Sequence, residues 1–244
     1  VDGLKLDPGQ QVLVNFIYHY LGVTGRPAVP IELRALADGF GRGFKGRPIV
    51  ELLSRDRRFY CREEGWGLSS WQVYTAIDVE TTGLNPRTDC ITEIALVKLW
   101  GAHVLASWSS LVNPGRPIPP YIVRLIGISD EMVEEAPPFT ALIPAIRDFI
   151  GESTLVAHNA PFDRSFIDAE CVRAGLEPPA NPWLDTVEMA KRLLPYLPNR
   201  KLVTVADHFG LNQSGHHRAM ADALMAAGIF AKMTALEEAR QVPG

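Results

Sequence analysis

Cysteine is scarce in this chain. Three occur in 244 residues, Cys61, Cys90 and Cys171, widely spaced and in no CxxC pair. That spacing excludes a disulfide framework and a thiolate zinc site, and it points to a reducing, cytoplasmic compartment. Long apolar runs are lacking too: none approaches the roughly 20 residues that span a bilayer, so no membrane partner is expected. No basic start, apolar stretch and small-residue cleavage site opens the chain. Internal repeats and low-complexity tracts are missing. The chain starts at Val1 and stops at Pro243-Gly244, as expected of a piece of something longer. Positive charge is not in excess either, with 24 Lys and Arg against 28 Asp and Glu and a net charge of −4.

Core material is not short. Hydrophobic residues make up 47% of the sequence, enough for a globular protein of one large or two smaller domains. The net charge is also unevenly spread. Residues 1–70 hold ten basic and eight acidic side chains, and the rest of the chain is acidic. Within 34–62, Arg34, Arg42, Lys45, Arg47, Arg55, Arg57, Arg58 and Arg62 face only Asp38, Glu51 and Asp56. A local basic stretch of this kind is the footprint of phosphate contact, or else a solvated face.

Apolar residues at helical spacing predict helices over 8–21 and 30–40, each opened by a proline suited to a first turn, and a third over 48–55. The period then drops to two. Phe59–Arg62, a Glu63-Glu64-Gly65 turn and Trp66–Leu68 read as a short hairpin. Three helices and a hairpin over 1–70 resemble a winged-helix module. It would offer Arg47, Arg55, Arg57, Arg58 and Arg62 to phosphates, or else dock on a protein. From 71 to 244 the pattern is α/β. Strands are expected at 73–79, 90–100, 103–112 and 154–157, and helices at 140–150, 161–174, 201–209 and 218–238, with shorter signals over 183–194 and a loop over 113–120. That order implies a mixed sheet with helices on its faces.

Asp78-Val79-Glu80-Thr81-Thr82-Gly83-Leu84 carries the strongest chemical signal. Residues i and i+2 of a strand share a face, so Asp78 and Glu80 present adjacent carboxylates at the end of an apolar strand. Two such anions repel and resist desolvation unless a cation joins them. An all-oxygen ligand set favours a hard ion, Mg²⁺ or Mn²⁺. Thr81, Thr82 and Gly83 then turn the chain and are expected to expose backbone N–H groups where a nucleotide would sit. In His158-Asn159-Ala160-Pro161-Phe162-Asp163, Pro161 suits a first helical turn. Asp163 then sits near the positive end of the helix dipole, either as a ligand or as a simple complement to that dipole. Phe162 and Phe166 share a helical face. In His217-Arg218-Ala219-Met220-Ala221-Asp222, the aspartate lies one turn into a helix and His217 sits on the preceding loop. A histidine there can titrate near neutrality and serve as a general base. His216 is not separated from it by spacing alone.

Asp78-x-Glu80 with TTGL, HNAxFD ending at Asp163, and His217-x₄-Asp222 together resemble the three motifs of the DEDDh exonucleases, the superfamily of the proofreading epsilon subunit of bacterial DNA polymerase III. Asn113–Pro119, Ile126–Ser129, Ala136-Pro137 and Asp185-Thr186 are similar as well, although many relatives carry Thr or His where this chain has Ile126. The resemblance spans about residues 72–235. It implies a ribonuclease H-like fold and hydrolysis of a nucleic acid from its 3′ end with two Mg²⁺ or Mn²⁺ ions. Asp78, Glu80, Asp163 and Asp222 would serve the metals, and His217 would deprotonate the attacking water. Thr81, Thr82, Gly83, Leu84, His158, Asn159 and Phe162 would meet the substrate. Single-stranded or frayed DNA 3′ ends are the expected partner, with a polymerase, helicase or repair protein nearby. RNA trimming and a non-catalytic nucleic-acid-binding module are the rival readings.

Overall fold

The described chain forms two units. The structure, a computed structural model, describes residues 8–39, 49–56, 58–68 and 72–241. One unit holds Val1–Gln72 with Trp100–His103, and the other holds Val73–Leu99 with Val104–Gly244.

In the first unit, α1 (Pro8–Thr24), α2 (Pro30–Gly39) and α3 (Ile49–Leu53) precede a hairpin of β1 (Phe59–Arg62) and β2 (Gly65–Leu68). Leu13, Val14, Ile17 and Leu21, at helical spacing on α1, are buried against Leu33, Leu53 and Trp66. Gly65 takes φ +127°, and a Cβ there would lie 2.7 Å from the Ala28 carbonyl oxygen, so the turn requires glycine. The third helix ends at Leu53, short of the expected 55, and residue 48 lies outside the described residues. Ser54 turns its hydroxyl back to the Glu51 carbonyl at 3.0 Å, offering the backbone an alternative to another helical turn. The basic stretch is more neutral than its composition. Arg55 pairs with Glu51 at 2.8 Å and Arg58 with Asp56 at 2.6 Å, so carboxylates already occupy two of the expected phosphate contacts. Arg42, Lys45, Arg47 and Arg57 lie outside the described residues.

The second unit is the expected mixed α/β fold. Its elements are β3 (Val73–Thr81), β4 (Ile91–Trp100), β5 (His103–Leu111), α4 (Pro120–Ile126), α5 (Asp130–Val133), α6 (Phe139–Ile150), β6 (Thr154–Ala157), α7 (Ala160–Arg173), β7 (Trp183–Asp185), α8 (Thr186–Leu193), α9 (Leu202–His208) and α10 (Ala219–Gln241). The sheet runs in the order β5-β4-β3-β6-β7, and β6 lies parallel to both β3 and β7. Strand alternation distributes the core. Ala76 joins the cluster of α8, α9 and α10, including Met189, Val205, Ala223 and Phe230. Ile77 and Val79 join the opposite cluster with Ile143, Ile146 and Phe166. Both faces of β3 are therefore covered, as a central strand demands. Helices α4 and α5 are additions to the sequence reading. At seven and four residues they are too short for periodicity to reveal, and they form around Ile118, Ile122, Ile126, Ile128 and Val133.

One expectation about apolar runs needs correcting. Ala219–Glu237 of α10 is long and apolar enough to cross a membrane by length and composition. Half of that stretch is buried within the protein. Ala219, Ala223, Ala226 and Ala227 let the helix approach β3 closely, so its apolar character serves the core.

Candidate active site

The site grows from the end of β3. Asp78 and Glu80 share the strand face of Ala76, the face that α10 covers. Ala219 and Ala223 are fully buried there, and Asp222, one turn into α10, is carried to the same place. Carboxylate oxygens of Asp78, Glu80 and Asp222 all lie within 4.8 Å of one another. Asp163 arrives from the other side of the sheet. Its Oδ1 accepts the Val79 N–H at 3.1 Å, at a position past the Ala76–Val156 pair of the β3–β6 ladder. Asp163 is thus fixed between the two β3 acids in sequence, and it is only 3% exposed.

Such a gathering of anions is electrostatically costly. Burial pushes the Asp78 carboxyl well above the ordinary range, and the charges of Asp163, Glu80, Asp222 and Glu93 push it further. Burial raises Glu80 to about 8, with Asp222, Glu93 and Asp163 adding and Arg218 opposing. Asp163 also rises to about 8, through burial that its hydrogen bonds to backbone N–H groups only partly offset. An oxygen-only set of this charge suits a divalent cation, which supplies the missing countercharge. The residues present therefore fit the ions that the motifs imply.

Two histidines stand at the rim. His217 precedes α10 with φ +68°, a left-handed backbone that costs a non-glycine residue about 1–2 kcal/mol. Its N–H points to Asp222 Oδ2 at 3.4 Å. The His216 and His217 rings stack with centroids 3.9 Å apart, and His216 Nδ1 lies 2.8 Å from Asp222 Oδ1. Burial lowers the His217 pKa, and His216 lowers it further against the pull of Asp222. Burial thus favours the neutral form of the His217 ring.

The turn after β3 differs in detail from the sequence expectation. The Thr82 N–H is not free, because it donates to the Cys90 carbonyl at 2.9 Å. The Thr82 hydroxyl accepts the Cys90 N–H at 3.0 Å, and the Thr81 hydroxyl donates to the Gly83 carbonyl at 2.6 Å. Both threonines are buried, and their polar atoms brace the turn. At Gly83 a Cβ would press on the Asp89 carboxylate, which accepts the Asn85 N–H at 2.9 Å. Leu84, 83% exposed, is the apolar side chain of this turn that meets solvent. His158 directs Nδ1 to the Thr186 hydroxyl and Nε2 to the Arg200 carbonyl, each at 2.8 Å, so both ring nitrogens are committed within the chain. Asn159 has φ 76° and donates its N–H to Asp185 Oδ1 at 3.0 Å. The Phe162 and Phe166 rings lie 4.9 Å apart, with Phe162 partly buried. Ile126 is buried in the α4–α5 cluster.

Glu93 escaped the sequence reading. It is 4% exposed on β4, and its carboxylate accepts from Arg218 Nε and Nη2 at 3.1 and 2.7 Å and from the Ala219 N–H at 2.9 Å. The available signal was a single acid inside the apolar strand Ile91–Trp100.

The exonuclease family model (RNase_T) matches residues 75–230, a span that contains Asp78, Glu80, Asp163, His217 and Asp222. The chain belongs to the exonuclease family. It is 36% identical over 221 residues to the PolC-type DNA polymerase III of Bacillus cereus, covering 87% of this chain and 15% of that protein. It is 40% identical over 157 residues to the PolC-type enzyme of Clostridium perfringens, covering 64% of this chain and 11% of that one. The exonuclease thus corresponds to a small part of those polymerases. Among solved structures, Exonuclease X in complex with 5′ overhanging duplex DNA is 29% identical with a TM-score of 0.57, covering 68% of this chain and 93% of that chain. The ribonuclease H-like arrangement of the second unit and the similarity to proofreading exonucleases follow, and the family is one of nuclease hydrolases.

Proposed function

We propose that this exonuclease removes nucleotides from the 3′ ends of single-stranded or frayed DNA, releasing nucleoside 5′-monophosphates, in proofreading or repair. The observation that carries this reading is the approach of the Asp78, Glu80 and Asp222 carboxylates to within 4.8 Å, with Asp163 bonded to the strand between them. Asp78, Glu80 and Asp222 would hold one Mg²⁺ or Mn²⁺, and Asp78 and Asp163 would serve a second. Bound divalent ions supply Lewis acidity toward water and toward the scissile phosphate. Neutral His217 takes the proton from water as its oxygen attacks phosphorus. The P–O3′ bond then breaks and O3′ takes up a proton from solvent, leaving a 3′-hydroxyl on the shortened strand and a 5′-phosphate on the departing nucleotide. Leu84 and Phe162 offer apolar surface to the terminal base and sugar. The DNA-bound Exonuclease X and the PolC-type polymerases support DNA over RNA. The first unit, read as winged-helix-like, would hold substrate through Arg62, whose guanidinium lies 5.2 Å from the half-exposed Tyr60 ring.

The test uses tailed oligonucleotides labelled at either end, as DNA and as RNA. A 3′ label should appear in mononucleotide at the first turnover, while a 5′-labelled strand shortens stepwise, and chelation should stop both. Mononucleotide release from the 5′ end, or unchanged turnover in chelator, contradicts the reading. Faster release from RNA would move the substrate assignment to RNA.

A further inference from the structure

Beside the acidic cluster lies a carboxylate to which the proposed chemistry gives no role. Glu93 is buried on β4, the strand beside β3, and it reaches across to the residues that follow the proposed base. One carboxylate makes three contacts there. Two come from the Arg218 guanidinium, at 3.1 and 2.7 Å, in the forked geometry that fixes orientation as well as distance. The third comes from the Ala219 N–H at 2.9 Å, the first residue of α10, whose N–H has no partner within its own helix. Glu93 therefore caps the first turn of α10 from strand β4.

His217 is the residue immediately before this anchor, and its backbone is in the left-handed region at φ +68°. A histidine left to itself would relax out of that conformation. Its own N–H contact, to Asp222 at 3.4 Å, is long. The chain after it is held at two consecutive residues, the Arg218 side chain and the Ala219 N–H, by a carboxylate that belongs to the rigid sheet. We infer that Glu93 is a positioning residue: by clamping Arg218 and Ala219 it holds His217 in its strained backbone conformation beside the acidic cluster. This rests on the reading of His217 as proton acceptor. The Arg218 side chain is 46% exposed, so loss of Glu93 releases it into water and does not strand a buried cation.

The experiment measures cleavage of a 3′-tailed DNA oligonucleotide by Glu93→Ala and Glu93→Gln, each alone and combined with His217→Ala. Glu93→Ala should lower kcat by up to roughly 10²-fold, the loss produced by a misplacement of about 1 Å, with KM little changed. Glu93→Gln keeps an acceptor for the Ala219 N–H and should lose less. In the His217→Ala background neither substitution should lower kcat further by more than about threefold, because the group they position is gone. Three results overturn the inference: wild-type kcat in both single variants, an equal fold-loss with and without His217, or a Glu93→Gln protein that no longer melts cooperatively. His217→Ala alone is the control for the reading beneath it. If that variant stays within about tenfold of wild type, the assignment of His217 fails before Glu93 is judged.

Discussion

Asp78 and Glu80 are placed where burial and neighbouring charge oppose their ionisation. Their oxygens crowd within 4.8 Å, and Arg218 is the cation that opposes the rise at Glu80. At His217 burial favours the neutral ring, the form the proposed general base needs. His216, stacked on it, spends Nδ1 on Asp222. The two adjacent histidines, inseparable in sequence, are thereby given different surroundings. His217→Ala should slow the chemical step by roughly 10²–10⁴-fold, the usual contribution of a general base, in single-turnover cleavage of a tailed oligonucleotide. A loss below tenfold, with His216→Ala the crippled variant, would reverse the assignment.

At the scale of elements, the site depends on α10 lying close to β3. The small side chains Ala219 and Ala223 are fully buried at that contact, and they set the depth at which Asp222 sits. Ala223→Leu should overpack the contact, cost about 1–3 kcal/mol, and displace Asp222 from the β3 acids. Urea unfolding together with metal affinity checks this, and unchanged values of both would show that the contact has slack. The sequence made this geometry legible for plain reasons. Alternation put Asp78 beside Glu80, and a proline marked the first turn that carries Asp163. It could not show Glu93, whose partners Arg218 and Ala219 are distant in the chain and meet it only once β4 and α10 are assembled. Nor could it show that Thr82 and His158 spend their polar atoms internally, since that depends on Cys90, Thr186 and Arg200 arriving from other elements. The apolar length of α10 was underrated for a related reason: Asp222 and Lys232 interrupt it in sequence without making its buried face polar.

For the whole molecule, the acidic cluster becomes a statement about stability. Glu80 and Asp163 titrate near 8 in the folded chain and near 4.5 and 3.8 when unfolded. Between those values the folded state binds more protons, so metal-free stability falls as pH rises toward 8. His158 and His217, both lowered from 6.5, act in the opposite direction below that pH. The fall is therefore clearest between about pH 6.5 and 8. Melting in chelator should show Tm decreasing across that window, and saturating Mg²⁺ should flatten the decrease by replacing protons with a cation. A Tm that rises with pH in chelator would contradict the account.

The most direct measurement is calorimetric titration of Mn²⁺ into the wild-type chain and into Asp78→Ala at about pH 7.5. The wild type should bind and release protons as the raised carboxylates ionise, while Asp78→Ala should remain folded and lose that binding together with all cleavage. Equal Mn²⁺ affinity and equal proton release in the two proteins would show that the gathered acids do not share an ion.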